Sequence, residues 1–273
     1  MPLISANATA IHYEITGDGP PLLFVAGAGG DAGYWTATAA ELADAFTVVT
    51  YDRRGNSRSP STPGHATSLA EQADDAAALL RELGLAPAIV VGTSFGAIVT
   101  ATLVERHPLV VERAVLHEPP LIGVLPDGEE IGAQLMSLIG DGMARGGPPA
   151  AMDLFMRSVA TASELDSADP LLVARLLANA EVFFGGELEL VASYRPDPVR
   201  LRATGVEVTV AAGRDDPQRY LARSAGWLAD QLGAPVLETS GAHLPYNDRP
   251  SVFADELRAL LAEETVAPAA HRA

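Results

Sequence analysis

Short apolar runs alternate with longer, helically spaced stretches through the first 118 residues. Residues 22–26, Thr47–Tyr51, Ala88–Thr93 and Val111–His117 are nearly continuous apolar runs, the pattern of strands buried on both faces. Between them, residues 35–45, 69–83 and 95–107 carry apolar positions three and four apart, which predicts helices. Strand–helix–strand alternation predicts an α/β fold, a mostly parallel sheet with helices on both faces. Residues 11–15, ahead of Gly17-Asp18-Gly19-Pro20, predict a leading antiparallel strand and a turn.

The alternation stops at Pro119 and resumes near residue 205. The stretch between reads as helices broken by Gly and Pro. Asp127 with Glu130 predicts a capping box, Pro148 and Pro170 suit first helical turns, and Asp169 suits an N-cap. Then come a strand over 206–212, a helix over 217–232, a strand over Val236–Thr239 and a last helix over Pro250–Ala262. The expected organisation is a core of residues 1–118 and 205–263, a helical insertion of residues 119–204 between two strands of one sheet, and a frayed tail of residues 264–273. No internal repeat is visible.

Composition narrows the chemistry. The 273 residues are 48% hydrophobic and 19% charged, enough for one large domain with a sizeable core. The net charge of −17 disfavours nucleic acid and anionic membranes as partners; a small-molecule substrate is the expected partner. There is no cysteine, so disulfides, thiolate nucleophiles, iron–sulfur clusters and thiolate zinc sites are excluded. All 18 Lys+Arg positions are Arg, so no Schiff base, pyridoxal-phosphate linkage or P-loop can form. Residues 1–16 lack a charged segment followed by an apolar run, so no secretory signal is expected, and no run approaches the ~20 apolar residues of a membrane helix. A cytoplasmic protein without a metal or an organic cofactor is the expectation.

The candidate chemistry starts at Gly92-Thr93-Ser94-Phe95-Gly96, a G-x-S-x-G sequence. The motif alone is common; here a strand ends at Thr93 and a helix begins at Phe95, the context that exposes a serine hydroxyl above a sheet. Against it stands a buried serine in a tight turn. Six histidines could supply a base. His12, His65, His107 and His271 fit surface or capping roles better. His243, in Ser240-Gly241-Ala242-His243 after the last strand, falls at the carboxyl edge of the sheet with Ser94. Gly213-Arg214-Asp215-Asp216 follows the preceding strand at that edge, and the order Ser94, Asp216, His243 suits a nucleophile–acid–base set. Either aspartate could instead cap the helix beginning at Pro217. The backbone N–H of Phe95 and a donor from Ala26-Gly27-Ala28-Gly29-Gly30 would serve a developing oxyanion.

Together these segments resemble the α/β-hydrolase superfamily over nearly the whole chain, on its branch of serine esterases and cofactor-free haloperoxidases. Phe24 to Gly30 with Trp35 is similar to the family's HGxxG loop, with Ala26 in place of His. Tyr51-Asp52-Arg53-Arg54-Gly55-Asn56-Ser57-Arg58-Ser59 is similar to its Y-D-x-R-G-x-G-x-S segment, with Ser57 in place of the second Gly. The run from His243 to Leu261, with Pro250 and Phe253, is similar to its last helix. The resemblance implies Ser94, Asp216 and His243 as catalytic residues, Ala28 and Phe95 as oxyanion donors, and residues 119–204 as a cap. The acid stays open between Asp216, which the G-x-x-D spacing from Gly213 selects, Asp215, and Glu118 at the end of the strand after the nucleophile helix.

A serine at the nucleophile position implies an acyl substrate such as an ester, lactone, thioester or amide. Met136, Met143, Met152, Met156, Phe155, Phe183 and Phe184 all lie in the insertion, so it either favours an apolar substrate or simply packs on itself. Residues 119–204 hold twelve acidic residues against six Arg, which disfavours an anionic substrate. Two other classes share these residues: a ligand-binding member of the fold without turnover, and a lyase, C–C hydrolase or perhydrolase.

Overall fold

The computed structural model describes residues 2–60 and 67–262. His65, His271 and the expected tail of residues 264–273 lie outside the described residues. Eight strands form one sheet: β1 (Leu3–Ala6), β2 (Thr9–Thr16), β3 (Pro21–Val25), β4 (Thr47–Tyr51), β5 (Ala88–Thr93), β6 (Val111–His117), β7 (Glu207–Gly213) and β8 (Val236–Thr239). Their order is β1-β2-β4-β3-β5-β6-β7-β8. The β1–β2 and β2–β4 pairings are antiparallel and the rest parallel. The predicted leading strand is thus real, and β1, which the hydrophobic pattern did not mark, pairs with it. Asn7 and Ala8, at φ 48° and 60°, make the two-residue turn between them.

Alternation along the central strands divides the core. Leu23, Val25, Val49 and Val90 face one cluster; Leu22, Phe24, Val48 and Val91 face the other. All six residues of β5 are buried. The first cluster is closed by helices Leu69–Glu82, Phe95–Arg106 and Tyr220–Leu232, the second by Thr36–Leu42 and Pro250–Ala262. Ser68 caps Leu69–Glu82 by accepting from the Glu71 N–H at 3.1 Å. Helix Tyr220–Leu232 begins three residues later than Pro217, because the chain turns through residues 214–219 first.

Between β6 and β7 the described chain is helical and has no strand. Helical residues Gly128–Val159 form two arms broken at Gly146–Gly147, with Pro148 and Pro149 opening the second arm. Gly147 takes φ 69°, and Gly142 lies so close to Ala151 that a Cβ there would sit 2.3 Å from its Cα. The capping box at Asp127 does not form: its carboxylate accepts instead from Arg223 Nη1 at 2.9 Å and Nη2 at 2.6 Å. A capping box does form at Thr161 and Glu164. Asp169 caps Pro170–Ala178, accepting from the Leu171 N–H at 2.7 Å. Met152, Met156, Leu176 and Phe183 join the apolar cluster that holds Phe24 and Trp35, so the insert shares a core with the sheet.

Close approach at the β5 turn makes a stability prediction. A Cβ on Gly96 would lie 2.2 Å from the Val25 carbonyl oxygen, whereas one on Gly226, inside helix Tyr220–Leu232, meets nothing within 4 Å. Gly96→Ala should therefore cost roughly 3 kcal/mol or more, and Gly226→Ala should add about 0.5–1 kcal/mol. Urea unfolding of the two variants checks this; equal midpoints would contradict it.

Candidate active site

Six strands deliver residues to one edge of the sheet. The carboxyl ends of β3, β4, β5, β6, β7 and β8 carry, in order, the loop of Ala26 to Gly30, Arg53, Ser94, Glu118, the Gly213 turn and His243. This is the edge where open α/β sheets bind ligands.

Ser94 occupies a sharp turn at φ 53°, ψ −123°, a conformation that strains an L-residue. Its N–H donates to the His117 carbonyl at 2.9 Å, and helix Phe95–Arg106 starts on its other side. Gly92 and Gly96 make the turn possible. A Cβ on Gly92 would lie 2.3 Å from the Gly96 oxygen. Ser94 is half-buried among buried neighbours.

Ser94 and His243 line the same small cavity, together with Gly27, Ala28 and Tyr246. His243 is 3% exposed, and its Nδ1 lies 2.7 Å from Glu118 Oε2. A carboxylate only accepts, so Nδ1 carries the proton it donates. The other Glu118 oxygen accepts from the Gly213 N–H at 3.0 Å. Burial pushes the Glu118 carboxyl up, but the hydrogen bond and charge of His243, with the Gly213 N–H, outweigh it and hold it below the usual range. Glu118 itself sits at φ 46°, its N–H on the Ala211 carbonyl at 2.9 Å.

The expected contact of Asp216 with His243 is not made. Asp216 Oδ2 accepts from Arg219 Nε at 2.7 Å, and Asp215 pairs with Arg249 at 2.9 Å. The reason lies in the backbone after β7. Gly213 donates to Glu118, Arg214 N–H to Thr239 O, and Asp215 N–H to Gly241 O. The turn is thus tied to the end of β8 and the loop after it, both aspartates pair with arginines, and Glu118 from the neighbouring strand holds the place beside the ring.

Arg53 organises the loop of Ala26 to Gly30. It is 1% exposed, and each of its five donors is used. Nε donates to Ala26 O at 3.0 Å and Nη2 to Gly27 O at 2.9 Å. Nη1 donates to Gln72 Oε1 at 2.8 Å, and both terminal nitrogens meet the Glu187 carboxylate from the insert. Its guanidinium lies 4.8 Å from the Phe95 ring centroid. In a trans peptide the N–H opposes the C=O, so fixing Gly27 O aims the Ala28 N–H the other way.

The insert grips this loop at further points. Arg175 Nε donates to Asp31 Oδ2 at 2.6 Å, and Asn179 Nδ2 to Gly29 O at 2.9 Å. Ser57 explains its departure from glycine: at φ 47°, it donates its N–H to Asn179 Oδ1 at 2.8 Å and its hydroxyl to Asp31 Oδ2 at 2.8 Å. Glu164, 1% exposed, accepts at Oε1 from the N–H groups of Ala242 at 3.2 Å and Leu244 at 2.6 Å, on either side of His243. Glu164 and Glu187 were not among the expected site residues. The Thr161-x-x-Glu164 spacing marks a capping box, but nothing along the chain marks either carboxylate as reaching the site.

The site has a family context. A family model described as alpha/beta hydrolase fold matches residues 20–182. The uncharacterized hydrolase YraK of Bacillus subtilis is 31% identical over 259 residues, 93% of each chain. The chain belongs to the α/β-hydrolase fold family. A putative carbamate hydrolase RutD of Serratia proteamaculans is 34% identical over 110 residues, 39% of this chain and 41% of that one. A thermophilic esterase from Thermogutta terrifontis superposes with TM-score 0.75 at 23% identity, covering 95% of this chain and 97% of that one. The enol-lactonase of Burkholderia xenovorans gives TM-score 0.74 at 22% identity over 96% and 100%. At those identities the likeness concerns the fold. Among the described residues no helix is long and apolar enough to cross a membrane.

His117, behind the site, makes a pH prediction. Burial, opposed by the Glu118 charge and aided by that of His243, pushes its imidazole down to about 4. The unfolded chain then takes a proton near pH 6.5 that the folded chain refuses. This stability is full above pH 6.5 and is lost as pH falls towards 4, at up to about 1.4 kcal/mol per pH unit. Urea titrations at pH 6.5 and pH 5 should show wild type losing roughly 1–2 kcal/mol more than His117→Gln; parallel losses would contradict it.

Proposed function

We propose that this chain is a serine hydrolase that cleaves carboxylic esters or related acyl substrates through a covalent acyl-enzyme. The observation that carries the reading is Ser94, on a strained turn, sharing a cavity with a buried His243 whose Nδ1 is 2.7 Å from Glu118. With Nδ1 engaged, Nε2 remains to take the Ser94 proton as Oγ attacks the acyl carbon. Glu118, held ionised, keeps the ring in that tautomer and stabilises the imidazolium.

The tetrahedral oxyanion is stabilised by the backbone N–H groups of Ala28 and Phe95. Collapse breaks the bond to the leaving group, which takes the proton from His243. A water then enters, gives its proton to His243 and attacks the acyl carbon, and Ser94 recovers its proton as the acid departs. The insert, residues 119–204, acts as the cap over this site. The hydrolase name of the Bacillus subtilis relative supports the reading, as does the presence of an esterase and an enol-lactonase among structures of like fold.

Intact-mass analysis after incubation with a fluorophosphonate tests the assignment. One adduct on wild type and none on Ser94→Ala is the expected result, with ester turnover in the variant down by about 10⁴-fold or more. An adduct that persists in Ser94→Ala, or near-normal turnover by that variant, would refute it.

A further inference from the structure

Ser94 borders two cavities of different size and chemistry. One leaves about 90 Å³ for the centres of water-sized molecules and is lined by Gly132, Leu135, Met136, Ile139, Phe183 and Val191 among others, with no charged side chain. The other leaves about 20 Å³ and is bordered by His243, Tyr34 and Tyr246. Ala28 and Ser94 line both, so the reacting carbonyl would stand at their junction.

Resting on the serine-hydrolase reading, we infer that the larger cavity takes the acyl group and the smaller one the leaving group, so that the substrates are esters of uncharged, apolar carboxylic acids with a small alcohol. The path of the proton decides between the two cavities. The leaving oxygen must come within hydrogen-bond reach, about 2.6–3.2 Å, of the His243 nitrogen that protonates it. Of these two cavities, the small one borders His243 and the large one does not. Once the alcohol has gone, the small cavity has room for about one water, which is what deacylation needs in contact with His243. The acyl chain meanwhile stays among apolar side chains, where an ionised group would be buried without a partner.

Gly132 sets the length of chain the larger cavity accepts. It shares one face of the first helical arm with Leu135, Met136 and Ile139, at spacings of three, four and seven. A Cβ at Gly132 meets nothing within 4 Å, although the residue lines the cavity. A larger side chain there would occupy substrate space without displacing the protein, and would raise helix propensity.

Two isomeric esters test the orientation at equal size and composition: methyl hexanoate, with its bulk on the acid, and pentyl acetate, with its bulk on the alcohol. Methyl hexanoate should show kcat/KM about tenfold or more above pentyl acetate. Gly132→Leu should lower the ratio of kcat/KM for methyl hexanoate over methyl acetate by about tenfold or more. Equal or reversed preference between the isomers, or a Gly132→Leu variant with an unchanged ratio, overturns the inference. Labelling of Ser94 by the fluorophosphonate with neither isomer hydrolysed also overturns it, and leaves the serine-hydrolase reading standing. Absence of both labelling and turnover defeats that reading as well.

Discussion

The guanidinium of Arg53 is the interaction on which the rest of the site depends. It is buried, and an unpaired buried charge would be costly, so its donors must all be met. They are met by two carbonyls of the loop after β3, by Gln72, and by Glu187 from the insert. One side chain thus fixes the peptide that precedes the Ala28 N–H, lies against the ring of Phe95, and ties the insert to the core. The same insert reaches the other half of the site through Glu164, which holds the backbone on both sides of His243. The loop of Ala26 to Gly30 and the loop that carries His243 are therefore both braced by carboxylates from residues 119–204.

Strain is concentrated where the proposed chemistry occurs. Ser94 and Glu118, at the ends of the adjacent strands β5 and β6, both have positive φ, a conformation that costs of order 1–3 kcal/mol for each such residue. Each is held by the next strand over: Ser94 N–H on His117 O, Glu118 N–H on Ala211 O, and beyond them Arg214 N–H on Thr239 O. The parallel ladder simply continues past the ends of the strands. It sets the serine, the carboxylate and the histidine loop side by side on a rigid edge, the support that a preorganised site requires.

Much of this architecture was legible in the hydrophobic pattern. Strands β4, β5, β6 and β8 have the predicted limits; in β4 and β5 this is because nearly every residue is buried and the apolar run ends where the strand ends. The Ser94 turn was legible because strand, glycine spacing and helix coincide. β1 was missed because a four-residue edge strand, half exposed, has no run to detect; only Asn7 hinted at the hairpin. The partner of His243 was misjudged between open candidates. Spacing along the chain favoured Asp216, but hydrogen bonds across the sheet decide which carboxylate reaches the ring, and these belong to Glu118. The bracing by Arg53, Glu164 and Glu187 could not be seen, since it joins residues 134 and 78 positions apart.

The central claim is that Glu118, and not Asp216, orients and stabilises the catalytic imidazole. Steady-state hydrolysis of one ester by Glu118→Gln and Asp216→Asn, both shown to be folded by circular dichroism, tests it most directly. The account predicts that Glu118→Gln loses about 10³–10⁴-fold in kcat, as expected when the imidazole loses its charged partner, while Asp216→Asn stays within about threefold of wild type. A full loss in Asp216→Asn with Glu118→Gln active would contradict it.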